Sequence, residues 1–279
     1  MDAAVVLALA LGVIAVLLGR PLWQARRRRQ LRARPLPDAW RQHLERTLPF
    51  YRAMPAELRA RLDGLVQQFL AEKEFVGCRG LEVSLEMKLT IAAQACLLVV
   101  NRATRLYDEL YSVLVYPAAF IAPDEHHDEA GVVHHHERVL SGQTWETHRV
   151  ILSWDDVQAS AAAGNEGFNV VYHEFAHYLD AEDGRVNGAP LLGDARHYER
   201  WSKVMNAEFE KLQVAAARDE PTLIDPYGAE DPAEFFAVVT EVFFELPAEL
   251  RRRHTALYEE LRRYYRLDPA SWEYGSPGP

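Results

Sequence analysis

Residues Asn165 to Gly184 read NEGFNVVYHEFAHYLDAEDG. Phe168, Val171, Phe175 and Leu179 recur at three- and four-residue intervals, the spacing of one apolar helix face. Asn165 is of the type that caps a helix start, and Gly184 of the type that follows a helix end. Inside the stretch lies His173-Glu174-Phe175-Ala176-His177. Residues four apart stand one turn above each other on the same face. Two imidazoles so placed can each direct a ring nitrogen at one cation about 2.0–2.1 Å away. Glu174, beside the first imidazole, is placed to take a proton from a water that the cation acidifies. The spacing thus points to a metal-bearing helix with His173 and His177 as ligands and Glu174 as general base.

The third ligand has two candidates. Asp183 lies six residues after His177, a spacing that works where the chain turns back at a glycine three residues after the second histidine; here that position is Asp180. Glu234 lies in Asp231-Pro232-Ala233-Glu234-Phe235-Phe236, where Asp231 reads as an N-cap and Pro232 as the first helical residue. Glu234 also fits a capping-box residue reaching back to the Asp231 amide. Spacing alone leaves both open. Glu241 and Glu245 follow Glu234 on a similar helix face, and Glu241 is suited to orient a ligand histidine.

Other chemistry finds little support. His126, His127, His134, His135 and His136, with Asp128 and Glu137, sit between turn-forming residues and read as a solvated loop rather than a second metal site. No Gly-rich phosphate loop, nucleophile elbow or paired-cysteine redox motif is present. Two cysteines are too few for a disulfide scaffold, and both Cys78 and Cys96 are expected reduced and buried. With 49% hydrophobic and 26% charged residues, the chain has a composition that folds without staples.

Charge is uneven. Residues 1–34 carry seven Arg and one Asp, a net of +6 against −10 for the whole chain, which leaves −16 on the rest. So acidic a body is a poor partner for nucleic acid. The uncharged run Ala3 to Gly19 would span about 25 Å as a helix, close to a hydrocarbon core of about 30 Å. No basic residue precedes it, only Met1 and Asp2, and its single Ala-x-Ala lies inside the run, so it reads as a retained transmembrane anchor rather than a cleaved leader. The arginines that follow would stay cytoplasmic, placing the chain at the inner membrane with its main domain facing the cytoplasm. Pro35 and Pro37 mark a linker. Residues 1–34 are therefore read as anchor and basic flank, and 35–279 as one domain, with an N-terminal lobe of about 40–160 and a HExxH and helical part of about 161–265.

Residues 40–73 and 85–110 read as amphipathic helices, and 195–217, 232–245 and 248–264 as further helices. Tyr111 to Tyr116, Ala119 to Ala122 and Arg149 to Trp154 read as short strands.

Several stretches resemble the Mlc titration factor A family of zinc peptidases: Phe75 to Val83 (FVGCRGLEV), Lys88 to Cys96 (KLTIAAQAC), Val113 to Pro117 (VLVYP), Leu152 to Asp156 (LSWDD), HEFAHYLD, and DPAEFFAVVTEVFFELP. The likeness runs from about residue 45 to about 265. The family is a gluzincin group, similar in its active-site segment to the metalloprotease domain of anthrax lethal factor. The resemblance implies one Zn2+ per chain with Glu234 as third ligand, and Tyr227 facing the metal, where a phenol can stabilise an oxyanion. It further implies aminopeptidase-type cleavage of short peptides and a repressor of the Mlc type as partner. The family's characterised members are soluble, so the expected anchor sets this chain apart. The expected fold is α+β and zincin-like, helix-dominated, with a small sheet beside the HExxH helix and one transmembrane helix before it.

Overall fold

The computed structural model describes residues 19–102, 106–118, 120–127, 133–140, 142–146, 148–163 and 167–272. The chain opens with α1 (residues 19–32), α2 (Asp38–Thr47), α3 (Pro49–Ala53) and α4 (Ala56–Glu72). Next come β1 (Glu74–Gly77), α5 (Leu85–Leu97), β2 (Ser112–Tyr116), β3 (Phe120–His127), β4 (Val133–Leu140), β5 (Gly142–Glu146) and β6 (Arg149–Ser153). The rest is helical: α6 (Trp154–Ala163), α7 (Val170–Asp180), α8 (Ala195–Ala217), α9 (Pro232–Glu245), α10 (Pro247–Arg253) and α11 (Thr255–Tyr265).

Prolines explain why the first expected helix is three. Pro49 starts α3 and Pro55 caps α4, because a ring without an N–H can begin a helix but not continue one. Pro247 likewise starts α10, and His254, with φ −131°, separates it from α11. The helix expected over 85–110 ends at Leu97 and is not amphipathic: Met87 and every residue from Leu89 to Leu97 are buried. A helix buried all round belongs in the centre of a fold, and α5 lies between α4, α2 and α7.

The sheet runs β1-β2-β6-β5, with the first three strands parallel and β5 antiparallel on β6. Val113, Val115, Val150 and Leu152 in the two central strands are fully buried. α7 lies against β6 and β5. An α+β, helix-dominated fold with a small sheet beside the HExxH helix is therefore present. The histidine-rich segment differs from the expected loop: β3 and β4 pair antiparallel, with His126 opposite His134, while Asp128 lies outside the described residues. Both cysteines are free, but only Cys96 is buried; Cys78 is half-buried.

The transmembrane expectation is corrected. Among the described residues no helix is long and apolar enough to cross a membrane, and the run Ala3 to Gly19 lies outside them except for Gly19. The basic flank also behaves differently from a topology signal. α1 docks on α4, where Gly64 lets the Arg32 backbone come so close that an added Cβ would stand 2.7 Å from the Arg32 carbonyl oxygen. Arg28 pairs with Glu72 at 2.9 Å and Asp108 at 3.2 Å, and Arg32 donates to Gln68 at 2.5 Å. These two arginines answer to protein carboxylates and amides. The single-pass inner-membrane location and membrane binding through residues 3–19 are withdrawn with the span that carried them.

Two buried contacts hold α7 and α9 in place. Tyr107, in the left-handed region at φ 47°, meets Phe175 and Tyr178 of α7 edge-on at 4.9 and 5.4 Å and donates to the Ala95 carbonyl at 2.7 Å. The buried Lys73 ammonium donates to the carbonyls of Tyr107 and Leu110. Past the C-terminus of α7, Gly188 donates to the buried Asp180 carboxylate at 2.7 Å and accepts from Trp201 Nε1 at 2.9 Å. Its φ is +73°, and a Cβ there would stand 2.2 Å from the carbonyl oxygen of Pro232, the first residue of α9. Asp180, where a glycine turn was sought, anchors this crossing instead.

Gly188→Ala combines a disfavoured φ with a backbone clash, so it displaces the start of α9 and Glu234 with it. Metal content after dialysis should fall sharply while His173 and His177 remain intact; unchanged content would contradict this. Lys73 gives a pH test. Burial lowers its pKa to about 8, against about 10.4 in an unfolded chain. Between those values the unfolded chain binds more protons, so stability rises with pH, and below them the full cost of the buried ammonium is present. The difference in denaturation free energy between the native chain and Lys73→Met should move in favour of the native chain between pH 8 and 10.

Candidate metal centre

The cap of α7 is Asn169, not Asn165, which lies outside the described residues. Asn169 is extended at φ −156° and ψ 102°, and its Oδ1 accepts from the amides of Val171 and Tyr172 at 3.1 and 3.2 Å. Phe168 therefore precedes the helix and is exposed. Starting at Val170, the helix turns His173 and His177 toward α9. Asp231 caps α9 as expected, accepting from the amides of Ala233 and Glu234 at 2.8 and 2.9 Å with Pro232 at the first turn. The Glu234 side chain meets the two histidines.

Three donor atoms converge. His173 Nε2 and His177 Nε2 are 3.1 Å apart, and Glu234 Oε2 lies 3.1 Å from the first and 3.4 Å from the second. A tetrahedral ion with bonds of 2.0–2.1 Å needs donors about 3.3 Å apart, so this triangle fits one face of such a site. These are the residues among those described that group as a possible metal site. Their side chains keep 12, 15 and 17% of their surface exposed, so the remaining side is reachable from solvent. Asp183 is not part of the group; its carboxylate accepts from the Arg185 amide at 3.0 Å.

The tautomer of His173 follows from its other nitrogen. Nδ1 lies 2.7 Å from Glu241 Oε1, and the carboxylate accepts, so the unprotonated Nε2 faces the triangle in the neutral ring. Glu241 is buried, and its second oxygen accepts the Asn169 amide. Asn169 Nδ2 in turn donates to Gln94 Oε1 at 2.6 Å and Glu245 Oε1 at 2.8 Å. Glu241 thus stands where its helix position suggested, whereas Asn169, Gln94 and Gly188 carried no motif. An asparagine just before an apolar helical run was the available signal for Asn169.

The electrostatics of the cluster suit a positive charge. Burial alone would lower the His173 pKa, but Glu234 and Glu241, with Glu174 nearby, raise it well above the ordinary imidazole value. Burial would raise Glu234, yet the imidazoles beside it hold its carboxyl below the usual range. Two lone-pair nitrogens and a carboxylate at these separations repel unless a positive charge lies between them, and without metal that charge is a proton. Glu174 is buried, at 3% exposure, on the same helix. Tyr227 lies in a 3-10 turn, Pro226–Ala229, fixed by Asp225 accepting the Tyr227 amide at 2.8 Å. Its ring is exposed and lies 6.0 Å from the His173 ring at 35°.

Glu241→Ala frees the His173 ring and leaves the Asn169 amide without its acceptor. Metal affinity should fall roughly 10–100-fold in competition with a chromophoric chelator; native affinity would remove Glu241 from the account.

Residues 22–266 match the model of the family described as glucose-regulated metallo-peptidase M90. The chain is 41% identical over 267 residues to Uncharacterized protein slr2042 of Synechocystis sp., covering 95% of this chain and 97% of the relative. It is 35% identical over 226 residues to Mlc titration factor A of Salmonella arizonae, covering 80% and 89% of the two chains. Mlc titration factor A of Klebsiella pneumoniae is 38% identical over 218 residues, with 77% and 81% covered. The match takes in α7 and α9 with all three converging side chains, and the chain belongs to the glucose-regulated metallo-peptidase M90 family.

Proposed function

We propose that the chain is a zinc-dependent peptidase of the HExxH gluzincin type, with one Zn2+ held by His173, His177 and Glu234. The observation that carries this reading is the triangle of donor atoms at 3.1–3.4 Å, on side chains that keep 12–17% of their surface exposed. When bound, the ion supplies Lewis acidity, polarising a carbonyl and bringing the pKa of a coordinated water to about 7.

The protein groups do the rest. His173, locked by Glu241, and His177, one turn later, present fixed lone pairs, so little reorganisation accompanies reaction. Glu174 accepts the proton of the attacking water and returns it to the leaving amine. Tyr227 donates a hydrogen bond to the oxyanion as the carbonyl becomes tetrahedral, a role that its exposed position beside His173 supports. Short peptides cleaved from the amino end are the substrate class that the family resemblance favours. The name of the relatives from Salmonella arizonae and Klebsiella pneumoniae supports a repressor of the Mlc type as partner.

Glu174→Gln separates base from ligand. The amide cannot accept the proton, while the three donor atoms are untouched. Hydrolysis of a peptide library should fall roughly 10²–10⁴-fold at unchanged zinc content. Native activity at full occupancy would sink the assignment of the base, and full occupancy with no hydrolysis by the native chain would make the zinc a structural clip.

A further inference from the structure

A cavity lies on the side of the molecule where α1 meets α4. It encloses about 370 Å³ and is lined by Arg32, Arg61 and Arg102, with Leu65, Val99 and Leu106 among its apolar walls. In a chain of net charge −10, three guanidiniums around one hollow are out of character.

Among the described residues, Arg32 and Arg61 have neutral partners only. Arg32 Nε donates to Gln68 and Arg61 Nη1 to Asn101 Oδ1 at 2.9 Å, both neutral acceptors. Arg102 stacks its guanidinium 4.2 Å above the Tyr264 ring and approaches Glu182 at 3.4 Å through Nη2. The neighbouring carboxylates Glu72 and Asp108 pair with Arg28 instead. Arg102 has only 4% of its side chain exposed, and its Nη1 is buried without a hydrogen-bond partner among the described residues. Buried polar atoms rarely stay unpaired, and a planar N–H donor of fixed charge is the group that binds oxyanions. Apolar walls with a few convergent charged groups are the make-up of a small-molecule site.

We propose that this cavity binds a small organic anion. Its carboxylate or phosphate oxygens would pair with the guanidiniums that line the cavity, Arg32, Arg61 and Arg102, and its short apolar body would lie against Leu65, Val99 and Leu106. Because Glu182 belongs to the turn that follows α7, the same guanidinium would serve the anion and the end of α7. Nothing here depends on the zinc assignment.

Calorimetric titration of the full chain at constant ionic strength tests this with hexanoate, hexyl phosphate, inorganic phosphate and hexanol. Hexanoate or hexyl phosphate should bind at one site per chain, about tenfold tighter than inorganic phosphate, and hexanol should not bind. The two organic anions separate a carboxylate ligand from a phosphate one. Arg102→Met should abolish the signal, and because that residue packs in the core, Arg61→Gln is the second variant. Arg61 supports no core contact, and its loss should weaken binding about tenfold in a chain that melts as the native one does. The proposal is overturned if neither organic anion saturates the protein, if inorganic phosphate binds as tightly as both, if hexanol binds equally well, or if Arg61→Gln binds as the native chain does.

Discussion

The bond between His173 Nδ1 and Glu241 Oε1 is the constraint on which the centre depends. Glu234 and Glu241 are seven residues apart, two turns along one face of α9. That helix therefore offers one carboxylate to Nε2 and another to Nδ1 of the same ring. A shift of α9 along α7 would break both contacts together. The Asn169 amide on the second Glu241 oxygen ties the start of α7 to this register, and the Asn169 side chain extends it to Gln94 of α5 and Glu245 at the end of α9. Helix cap, ring orientation and helix packing are one buried network, which is strong only when every member is satisfied.

That network gathers carboxylates more densely than its two imidazoles can balance. Glu174, Glu234, Glu241 and Glu245 all lie within it or beside it, and the raised pKa of His173 is the response of the protein without metal. A divalent cation would answer the same charge and would fit the triangle of donor atoms. The surrounding contacts resist collapse of that triangle. Tyr107 braces α7 from the side of α5, and Gly188 sets the distance between the end of α7 and the start of α9.

Much of the centre was legible because its signals are local. Histidines at i and i+4, an Asp-Pro helix start at residue 231, and carboxylates at heptad spacing can be read from one helix at a time. The bounds of α8 and α9 followed in the same way. What escaped depends on partners distant in sequence. β1 is four residues long and exists because Glu74 to Gly77 pair with Ser112 to Val115. The buried face-all-round α5 has the same apolar letters as an amphipathic helix and differs in what covers it. The arginines after residue 19 carry the pattern of a membrane flank, yet Arg28 and Arg32 meet α4, whose complementary groups lie about forty residues on. Gly188 matters because of Pro232, a neighbour in space alone.

The most direct measurement of the central claim is anomalous diffraction at the zinc edge from crystals of the zinc-loaded chain. One peak should lie between His173 Nε2, His177 Nε2 and Glu234 Oε2, with the remaining coordination open to solvent. A peak at Asp183 or along β3 and β4, or a fourth protein ligand closing the site, would contradict the account.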